Sequence, residues 1–367
     1  MKHYSFPSIE QYRTVIKYVN DRCDRFAQGS PRPKLMFHGT VKLHGTNASV
    51  VAGADGTFYA QSRSQVITPQ ADNAGFAAFA EQQKLALVTF ASMAEHKYFT
   101  SRDDYVERRP VNVVVYGEWC GGNIQSGVAL SKLPKMFVIF AVRFVDVNQD
   151  AEESKSFWLM PWDVEAAFDA VAQDPTWPST IKCIEKFQTW QLTIDFGDPK
   201  AVQNELVRIT TEVEARCPVS FELGSDGVGE GVVWTCVGEN SRPSSSLTPI
   251  RLDDLVFKVK GEKHSDTKVK TVAEVDIEKL NSLKELAASL VTEHRFEKGA
   301  SYLKETLHTD DVFHVKNIGG FLKWIGNDVL KEDVDTIEGN GFEPREVTKA
   351  VNELAKAWFL KQVNDHA

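Results

Sequence analysis

One stretch near the N-terminus, Val41-Lys42-Leu43-His44-Gly45-Thr46-Asn47, is the segment around which the rest of the sequence is organised. It follows an apolar run, Leu35 to Phe37, and its Gly/Thr/Asn cluster is typical of a tight turn. We expect Lys42 to lie at the edge of a pocket, where desolvation or a neighbouring cation makes a lysine amine nucleophilic. The turn would let a phosphate come close to backbone N–H groups. A solvated lysine beside a turn is the alternative interpretation.

Four later segments add acids, aromatic rings and more lysines to this candidate site. They are Val113 to Glu118, Lys135 to Phe140, Glu230 to Trp234 and Leu255 to Lys260. One ends a β-branched run in a carboxylate, one places an acid at a strand start, and one is an apolar strand rich in aromatic residues. The last alternates, so Lys258 and Lys260 share one face of a predicted strand. The pattern indicates one lysine, two acids and two further lysines in a shared site.

In this order, the segments resemble nucleotidyltransferase motifs I, III, IIIa, IV and V of the covalent ATP-dependent ligases. The residues that carry the resemblance are Lys42-Leu43-His44-Gly45-Thr46-Asn47, Tyr116-Gly117-Glu118, Phe140, Glu230-Gly231-Val232-Val233 and Lys258-Val259-Lys260. The His-Gly-Thr-Asn form of the first motif is most similar to the phage RNA ligase 2 family and the mitochondrial RNA-editing ligases. Beyond Lys260 the sequence resembles these ligases only in its helical pattern.

The resemblance implies an ATP-dependent RNA ligase. Lys42 would attack the α-phosphate of ATP and form lysyl-AMP, and the AMP would pass to an RNA 5′-phosphate that is then sealed to a 3′-hydroxyl. The amine must lose its proton to attack, and the cations Lys258, Lys260 and Mg²⁺ would favour that loss. The implied cofactors are ATP, held as covalent AMP, and Mg²⁺ or Mn²⁺. The implied partner is RNA, expected at nicks in a duplex during RNA repair.

The family's functional residues map onto this sequence motif by motif. Catalysis is expected of Lys42, His44, Glu230, Lys258 and Lys260. Nucleotide binding is expected of Lys42, Asn47, Arg63, Glu118, Phe140, Glu230, Lys258 and Lys260. Metal ligation is expected of Glu118 and Glu230, because carboxylate oxygens suit Mg²⁺.

The resemblance also implies what the polar residues of this set contact. His44 would serve a catalytic step at the phosphates, and Asn47 would contact a phosphate in the transition state. Arg63, which lies beyond the lysine in the position of motif Ia, would contact the nucleotide or the RNA phosphate. Glu118 would hold the ribose hydroxyls or the metal. A structural turn residue is the alternative role for His44, and a solvated strand end is the alternative for Arg63.

An aromatic side chain is expected to stack on the adenine. Phe140 matches the position of motif IIIa, and Phe137 on the same predicted strand is its rival. An ordinary core phenylalanine would give the same pattern. The family often has an acid directly after this phenylalanine, whereas this chain has Ala141.

The predicted fold class is α+β. Residues 1–263 are expected to form a nucleotidyltransferase domain of antiparallel sheets flanked by helices, and residues 264–367 an all-helical C-terminal domain. Predicted strands cover 34–42, 47–53, 57–62, 219–223, 231–237 and 255–259, beside those of the motifs that end at Glu118 and Phe140. Predicted helices cover 8–26 with Ser8 as N-cap, 73–98, 161–172 and 199–215.

Bulk properties narrow the class of protein further. The chain has 367 residues, of which 42% are hydrophobic and 25% charged, as in ordinary globular proteins of two domains. We find no run of about 18 apolar residues and no signal-peptide core, which predicts an intracellular, cytoplasmic protein without a membrane span, in the host cytoplasm if the source is viral. We also expect a monomer. The five cysteines lack metal-binding spacing, so we expect them reduced and mostly buried.

The net charge of −9 requires that any RNA surface be a basic patch on an acidic body. Candidate patches are the run from Lys258 to Lys270 and the group Arg102, Arg108 and Arg109. A solvated charged face is the alternative interpretation of both.

Two other functions share parts of this pattern. A DNA ligase or a GTP-using capping enzyme would usually follow motif V with an OB-fold barrel, and few alternating strand segments follow Lys260. A non-catalytic module that binds RNA ends could keep the fold, although the intact lysine and acids argue against it.

Overall fold

The computed structural model describes residues 1–26, 29, 31–100, 110–122, 124–125, 127–147, 156–237, 255–261, 283–309, 311–339 and 341–365. The chain divides into two compact units, Met1–Val259 and Lys260–Ala367. The first unit combines two largely antiparallel sheets with helices, and the described residues 283–365 are helical. The structure therefore confirms the predicted α+β class. The predicted domain boundary after residue 263 falls outside the described residues and stays a prediction.

The elements are numbered in chain order. The strands are β1 (Glu10–Gln11), β2 (Lys34–Lys42), β3 (Thr46–Ala52), β4 (Phe58–Ser62), β5 (Val66–Ile67), β6 (Val111–Cys120), β7 (Met136–Asp146), β8 (Ser156–Trp158), β9 (Ile181–Cys183), β10 (Thr189–Asp195), β11 (Gly231–Cys236) and β12 (Val256–Lys260). The helices are α1 (Tyr12–Phe26), α2 (Phe76–Gln82), α3 (Lys84–Thr100), α4 (Pro161–Ala172), α5 (Gln203–Ala215), α6 (Pro218–Glu222), α7 (Leu283–Leu290), α8 (Glu293–Leu307), α9 (Ile318–Gly339) and α10 (Pro344–Asp365).

The five-stranded sheet has the order β1-β12-β11-β2-β10. Strand β2 pairs antiparallel with both β10 and β11, and Lys42 at its end lies opposite Gly231 at the start of β11. Alternate residues of the sheet face a buried aromatic core that contains Phe37, Trp234 and Phe257. Gly39 makes room for this core, because a Cβ there would lie 2.7 Å from the Trp234 ring. The pairing of β2 and β11 therefore brings two of the predicted motifs to one edge.

The seven-stranded sheet has the order β5-β4-β3-β6-β7-β8, with β9 paired to β7. One face packs against α2, α3 and α4 through a core that includes Val50, Val115 and Ile139. Because side chains alternate along a strand, the residues between these core positions face the other side. That second face carries Asn47 and Glu118, which lie directly opposite each other in the pairing of β3 with β6.

Residues 43–45 carry the chain from one sheet to the other, so β2 and β3 do not form a hairpin. The crossing depends on Gly45. A Cβ at this position would lie 2.4 Å from the backbone oxygen of Trp119 and 2.7 Å from Cβ of Cys120. Only a residue without a side chain allows the turn to approach β6 this closely.

The second unit packs its helices around a core that includes Leu286, Phe321, Val351 and Phe359. Among the described residues, no helix of either unit is both long and apolar enough to cross a membrane. All five cysteines are buried and free of disulfides, as predicted.

A buried ion network lies inside the second unit. Arg295 is fully buried, and its Nε and Nη2 donate to Asp328 and Asp333, each at 2.9 Å. Its Nη1 donates to the backbone oxygen of Leu290. The network ties α8 to α9 across the helical core.

Several predicted elements are confirmed. The three strands over 34–42, 47–53 and 57–62 match β2, β3 and β4, and the helix over 161–172 matches α4. The predicted strands over 231–237 and 255–259 match β11 and β12. Strand β6 continues two residues beyond Glu118, and the helix predicted over 199–215 begins with a 3₁₀ turn, Pro199–Val202.

Other predictions were wrong for identifiable reasons. Helix α1 begins at Tyr12, and Ser8 is not its N-cap, because the backbone of Glu10–Gln11 pairs in parallel with β12. The helix predicted over 73–98 is two helices, α2 and α3, separated at Gln83. The strand predicted over 219–223 is instead the short helix α6, which begins at Pro218. Proline is favoured in the first turn of a helix, and five residues are too few to reveal a period.

Both predicted basic patches include residues outside the described part of the chain. Arg102, Arg108, Arg109, Lys263, Lys268 and Lys270 lie outside the described residues.

We predict that Asp333→Ala destabilises the second unit by about 3 kcal/mol, because it removes a partner from a buried guanidinium. Urea unfolding followed by helical circular dichroism measures the change. Glu338→Ala removes an exposed carboxylate from the same helix and is the matched control, with little expected effect. Equal losses for the two variants would contradict a stabilising role for the buried pair.

Candidate active site

Lys42, His44 and Glu230 meet at one point. Lys42 ends β2, and Glu230 immediately precedes β11, whose first residue lies opposite Lys42. Nζ of Lys42 donates to Oε2 of Glu230 at 2.7 Å, and Nδ1 of His44 donates to the same oxygen at 3.1 Å. The side chain of Glu230 is 1% exposed, whereas that of Lys42 is 21% exposed. Solvent and small ligands can therefore reach the amine while its carboxylate partner stays covered.

Glu118 holds the turn that follows the lysine. Its Oε1 accepts a hydrogen bond of 2.9 Å from the backbone N–H of Gly45. Its strand neighbour across the β3–β6 ladder is Asn47. The acid thus fixes the backbone of the crossing segment and lies on the same sheet face as Asn47.

The electrostatic environment of Glu118 is set by burial. Removal from water raises the pKa of the Glu118 carboxyl to about 7, and the negative charge of Glu230 raises it too. The positive charge of Lys42, the Gly45 N–H and Arg63 act in the opposite direction. Two carboxylates that repel each other in this way suit a divalent cation, which prefers carboxylate oxygens. The donor set of Glu118 and Glu230 therefore fits the predicted Mg²⁺ or Mn²⁺.

The other predicted cations lie on two strands. Arg63 directly follows β4, is exposed, and lies close enough to lower the pKa of Glu118. On β12, Lys258 and Lys260 alternate with the buried Phe257 and Val259. The two lysines therefore share one face of the strand, as predicted from their spacing.

The structure separates the two candidate stacking residues. Phe137 is fully buried on the helix-packed face, where its ring lies 5.0 Å from that of Phe76. Phe140 is half-buried on the other face, beside Tyr116 and Ala141. Of the two rings, that of Phe140 lies on the sheet face that carries Glu118.

A β-bulge lies at Phe140. In the pairing of β6 with β7, Tyr116 lies opposite Ala141 and Gly117 lies opposite Ile139, so Phe140 is the extra residue. Phe137 and Phe140 are three positions apart and so face opposite sides by alternation. The bulge instead shifts the alternation beyond Phe140, so that Ala141 shares its face and Val142 returns to the helix-packed core. Sequence periodicity alone does not reveal it.

A supporting loop that was not predicted lies next to the crossing segment. Asn73 donates from Nδ2 to Oγ1 of Thr46 at 3.0 Å, and the backbone oxygen of Ala74 accepts from Nε1 of Trp119 at 3.0 Å. Asp72 anchors the loop by accepting backbone N–H groups at the start of α2. The Asp-Asn pair just before an apolar helical run was the available signal.

We predict that stability depends on pH through Glu118. Between about pH 4.5 and 7 the folded carboxyl keeps a proton that the unfolded chain has released, so the free energy of unfolding falls as pH rises through this range. Glu118→Gln cannot titrate there. The wild type should therefore lose about 3 kcal/mol relative to this variant between pH 4.5 and 8.

Urea unfolding of both proteins in EDTA at several pH values measures this difference. Glu81→Gln, at an exposed position on α2, is the matched control and should show no such trend. A gap between wild type and Glu118→Gln that stays constant with pH would contradict a protonated Glu118.

Comparison with known proteins gives one family match. A family model described as RNA ligase matches residues 36–260, and no curated protein matches the chain.

Similar solved structures include three of Naegleria gruberi RNA ligase. A lysine-to-alanine mutant with ATP and Mn is 15% identical to this chain, with a TM-score of 0.40. The protein with PPi is 19% identical, with a TM-score of 0.40. An apo aspartate-to-alanine mutant is 15% identical, with a TM-score of 0.41. Each match covers 71% of this chain and 56% of that chain. At this identity and TM-score the structural likenesses carry no argument about function.

The family match rests on sequence and spans more than half of the 367 residues. It includes Lys42, Glu230 and Lys258, which lie on or beside the adjacent strands β2, β11 and β12, and Glu118 on β6 of the other sheet. This chain therefore belongs to the RNA ligase family.

Proposed function

We propose that this chain is an ATP-dependent RNA ligase that works through a lysyl-AMP on Lys42 and resembles the phage RNA ligase 2 type. The observation that carries the proposal is the contact of 2.7 Å between Lys42 and the buried Glu230, in a chain of the RNA ligase family. The proposed substrate is RNA with a 5′-phosphate and a 3′-hydroxyl, at a nick in a duplex.

In the first step Nζ of Lys42 attacks the α-phosphorus of ATP. The N–P bond forms, the bond from that phosphorus to the pyrophosphate oxygen breaks, and pyrophosphate leaves. The amine must give up a proton, and Oε2 of Glu230 is the acceptor already hydrogen-bonded to it. His44 donates to the same oxygen and so keeps the carboxylate aimed at the lysine.

The next two steps restore the lysine and join the RNA. An oxygen of the RNA 5′-phosphate attacks the AMP phosphorus, the N–P bond breaks, and Lys42 recovers its proton. The 3′-hydroxyl then attacks the activated 5′-phosphate and AMP leaves. Lys258 and Lys260, on one face of β12, supply positive charge for these phosphates.

The metal and the nucleotide would be held by residues of both sheets. Glu118 and Glu230 would bind Mg²⁺ or Mn²⁺, which neutralises phosphate charge when bound. Phe140 would stack on the adenine, while Arg63 and Asn47 would contact phosphates. Each of these side chains belongs to a segment that the resemblance assigns to nucleotide binding.

The helical second unit favours RNA over the alternatives. The described residues between 283 and 365 form helices without a strand, so this part of the chain is not an OB-fold barrel. DNA ligases and capping enzymes usually carry such a barrel after motif V. We infer that the helical unit instead helps engage the RNA ends.

We predict that Lys42→Ala abolishes covalent labelling by α-labelled ATP and Mg²⁺, because the proposal places the AMP on this amine. The measurement is denaturing electrophoresis of protein first freed of bound AMP with pyrophosphate. Lys34→Ala removes a lysine from the far end of the same strand and should label like the wild type.

Covalent labelling and strand-sealing assays together separate the rival functions. Labelling from GTP in place of ATP would indicate a capping enzyme, and sealing of nicked DNA but not nicked RNA would indicate a DNA ligase. A wild-type protein that takes no covalent label from ATP would contradict the ligase proposal and favour a module that only binds RNA ends.

We predict that Gly45→Ala slows AMP transfer to Lys42 by about 100-fold, since a Cβ cannot fit against the Trp119 carbonyl and the turn must shift. The shift would also break the Gly45–Glu118 hydrogen bond. Initial rates of labelling measure the effect, with circular dichroism to show that the variant folds. Gly319→Ala, where a Cβ meets nothing within 4 Å, is the matched control. A wild-type rate for Gly45→Ala would contradict the tight approach.

A further inference from the structure

The N-terminal strap, residues 2–6, lies on the sheet face that carries Glu118. The backbone N–H of Tyr4 donates to Oε1 of the buried Gln61 at 2.8 Å, and its carbonyl accepts from the Tyr116 hydroxyl at 3.0 Å. Nδ2 of Asn112 donates to the Tyr4 hydroxyl at 2.9 Å. These contacts to β4 and β6 fix the strap by its backbone and by one side chain. The strap is therefore a built part of this face.

Phe6, at the end of the strap, sits among three aromatic rings. Its ring centroid lies 5.0 Å from Phe140, 5.2 Å from Tyr116 and 5.5 Å from Trp158. The interplanar angles of 79°, 62° and 83°, in the same order, are those of edge-to-face contacts. Such pairs are favourable beyond their burial of apolar surface and depend on ring orientation.

Phe140 needs an external support of this kind. It is the extra residue of the bulge between β6 and β7, so the ladder gives it no residue directly opposite. Phe6 makes an edge-to-face pair with Phe140, with the ring centroids 5.0 Å apart. The orientation of the Phe140 ring therefore depends on the strap.

We propose that Phe6 is a positioning residue for the nucleotide base: it holds the Phe140 ring in the orientation in which that ring stacks on adenine. The inference rests on the proposed function and deepens it, because it adds Phe6 to the residues that support the ATP site. Phe6 acts through Phe140 and does not itself touch the reacting atoms.

The test measures KM for ATP and the maximal rate of AMP transfer to Lys42. Phe6→Leu keeps apolar volume but removes the ring, and should raise KM about three- to tenfold with little change in maximal rate. Phe6→Tyr keeps the ring and should restore the wild-type KM. Ser5→Ala, at an exposed position of the strap, is the matched control and should leave both parameters unchanged. Thermal unfolding confirms that each variant is folded.

A double-mutant cycle with Phe140→Leu tests the route of the effect. If Phe6 acts through Phe140, the double variant has the KM of Phe140→Leu alone, whereas multiplied effects would overturn the proposal. A lower KM for Phe6→Leu would overturn it too, because the ring would then be obstructing the base. So would a fall in maximal rate at unchanged KM.

The outcomes also separate this inference from the proposed function. A wild type that labels from ATP, with Phe6→Leu indistinguishable from it, overturns the positioning role and leaves the ligase proposal standing. A wild type that takes no label from ATP overturns both.

Discussion

The close approach of Gly45 to the backbone of β6 is the constraint on which the candidate site depends. The three residues 43–45 are the passage between two sheets, and the Gly45 N–H bonds to Glu118 on the far side. Lys42 therefore ends a strand of one sheet, and Asn47 lies near the start of a strand in the other. Glu118 in one sheet and Glu230 at the edge of the other can then lie near the amine of Lys42. Loosening this turn would separate the two halves of the site without altering any of its side chains.

Charge within the site is arranged by burial as much as by pairing. Glu230 is covered by protein and accepts from two donors, whereas Glu118 accepts from a backbone amide and keeps a raised pKa. The two carboxylates thus lie in different surroundings, although both are glutamates. In the protein alone, Glu230 holds the lysine and Glu118 holds the backbone of the crossing turn.

The parts of the fold predicted from sequence are those set by local pattern. Strands β2 to β4 are bounded by turn residues, and α4 has a proline at its start, so their boundaries were predicted closely. Prediction failed where a distant partner decides the outcome. Glu10–Gln11 is a strand only because β12, far along the chain, pairs with it. The bulge at Phe140, which depends on the pairing with β6, was likewise not predicted. The acids and lysines came from motif order, whereas the strap and the Asn73 loop gave little periodic signal.

The order of strands in the five-stranded sheet has a consequence for synthesis. The seven-stranded sheet comes from one continuous stretch, β3 to β9, so it can form as soon as that stretch leaves the ribosome. The five-stranded sheet draws strands from both ends of the first unit and closes only when β11 and β12 have emerged. Contacts of such long sequence separation form slowly. A nascent chain thus presents Lys42 long before Glu230 exists to pair with it, which delays assembly of the site until almost the whole first unit has been made.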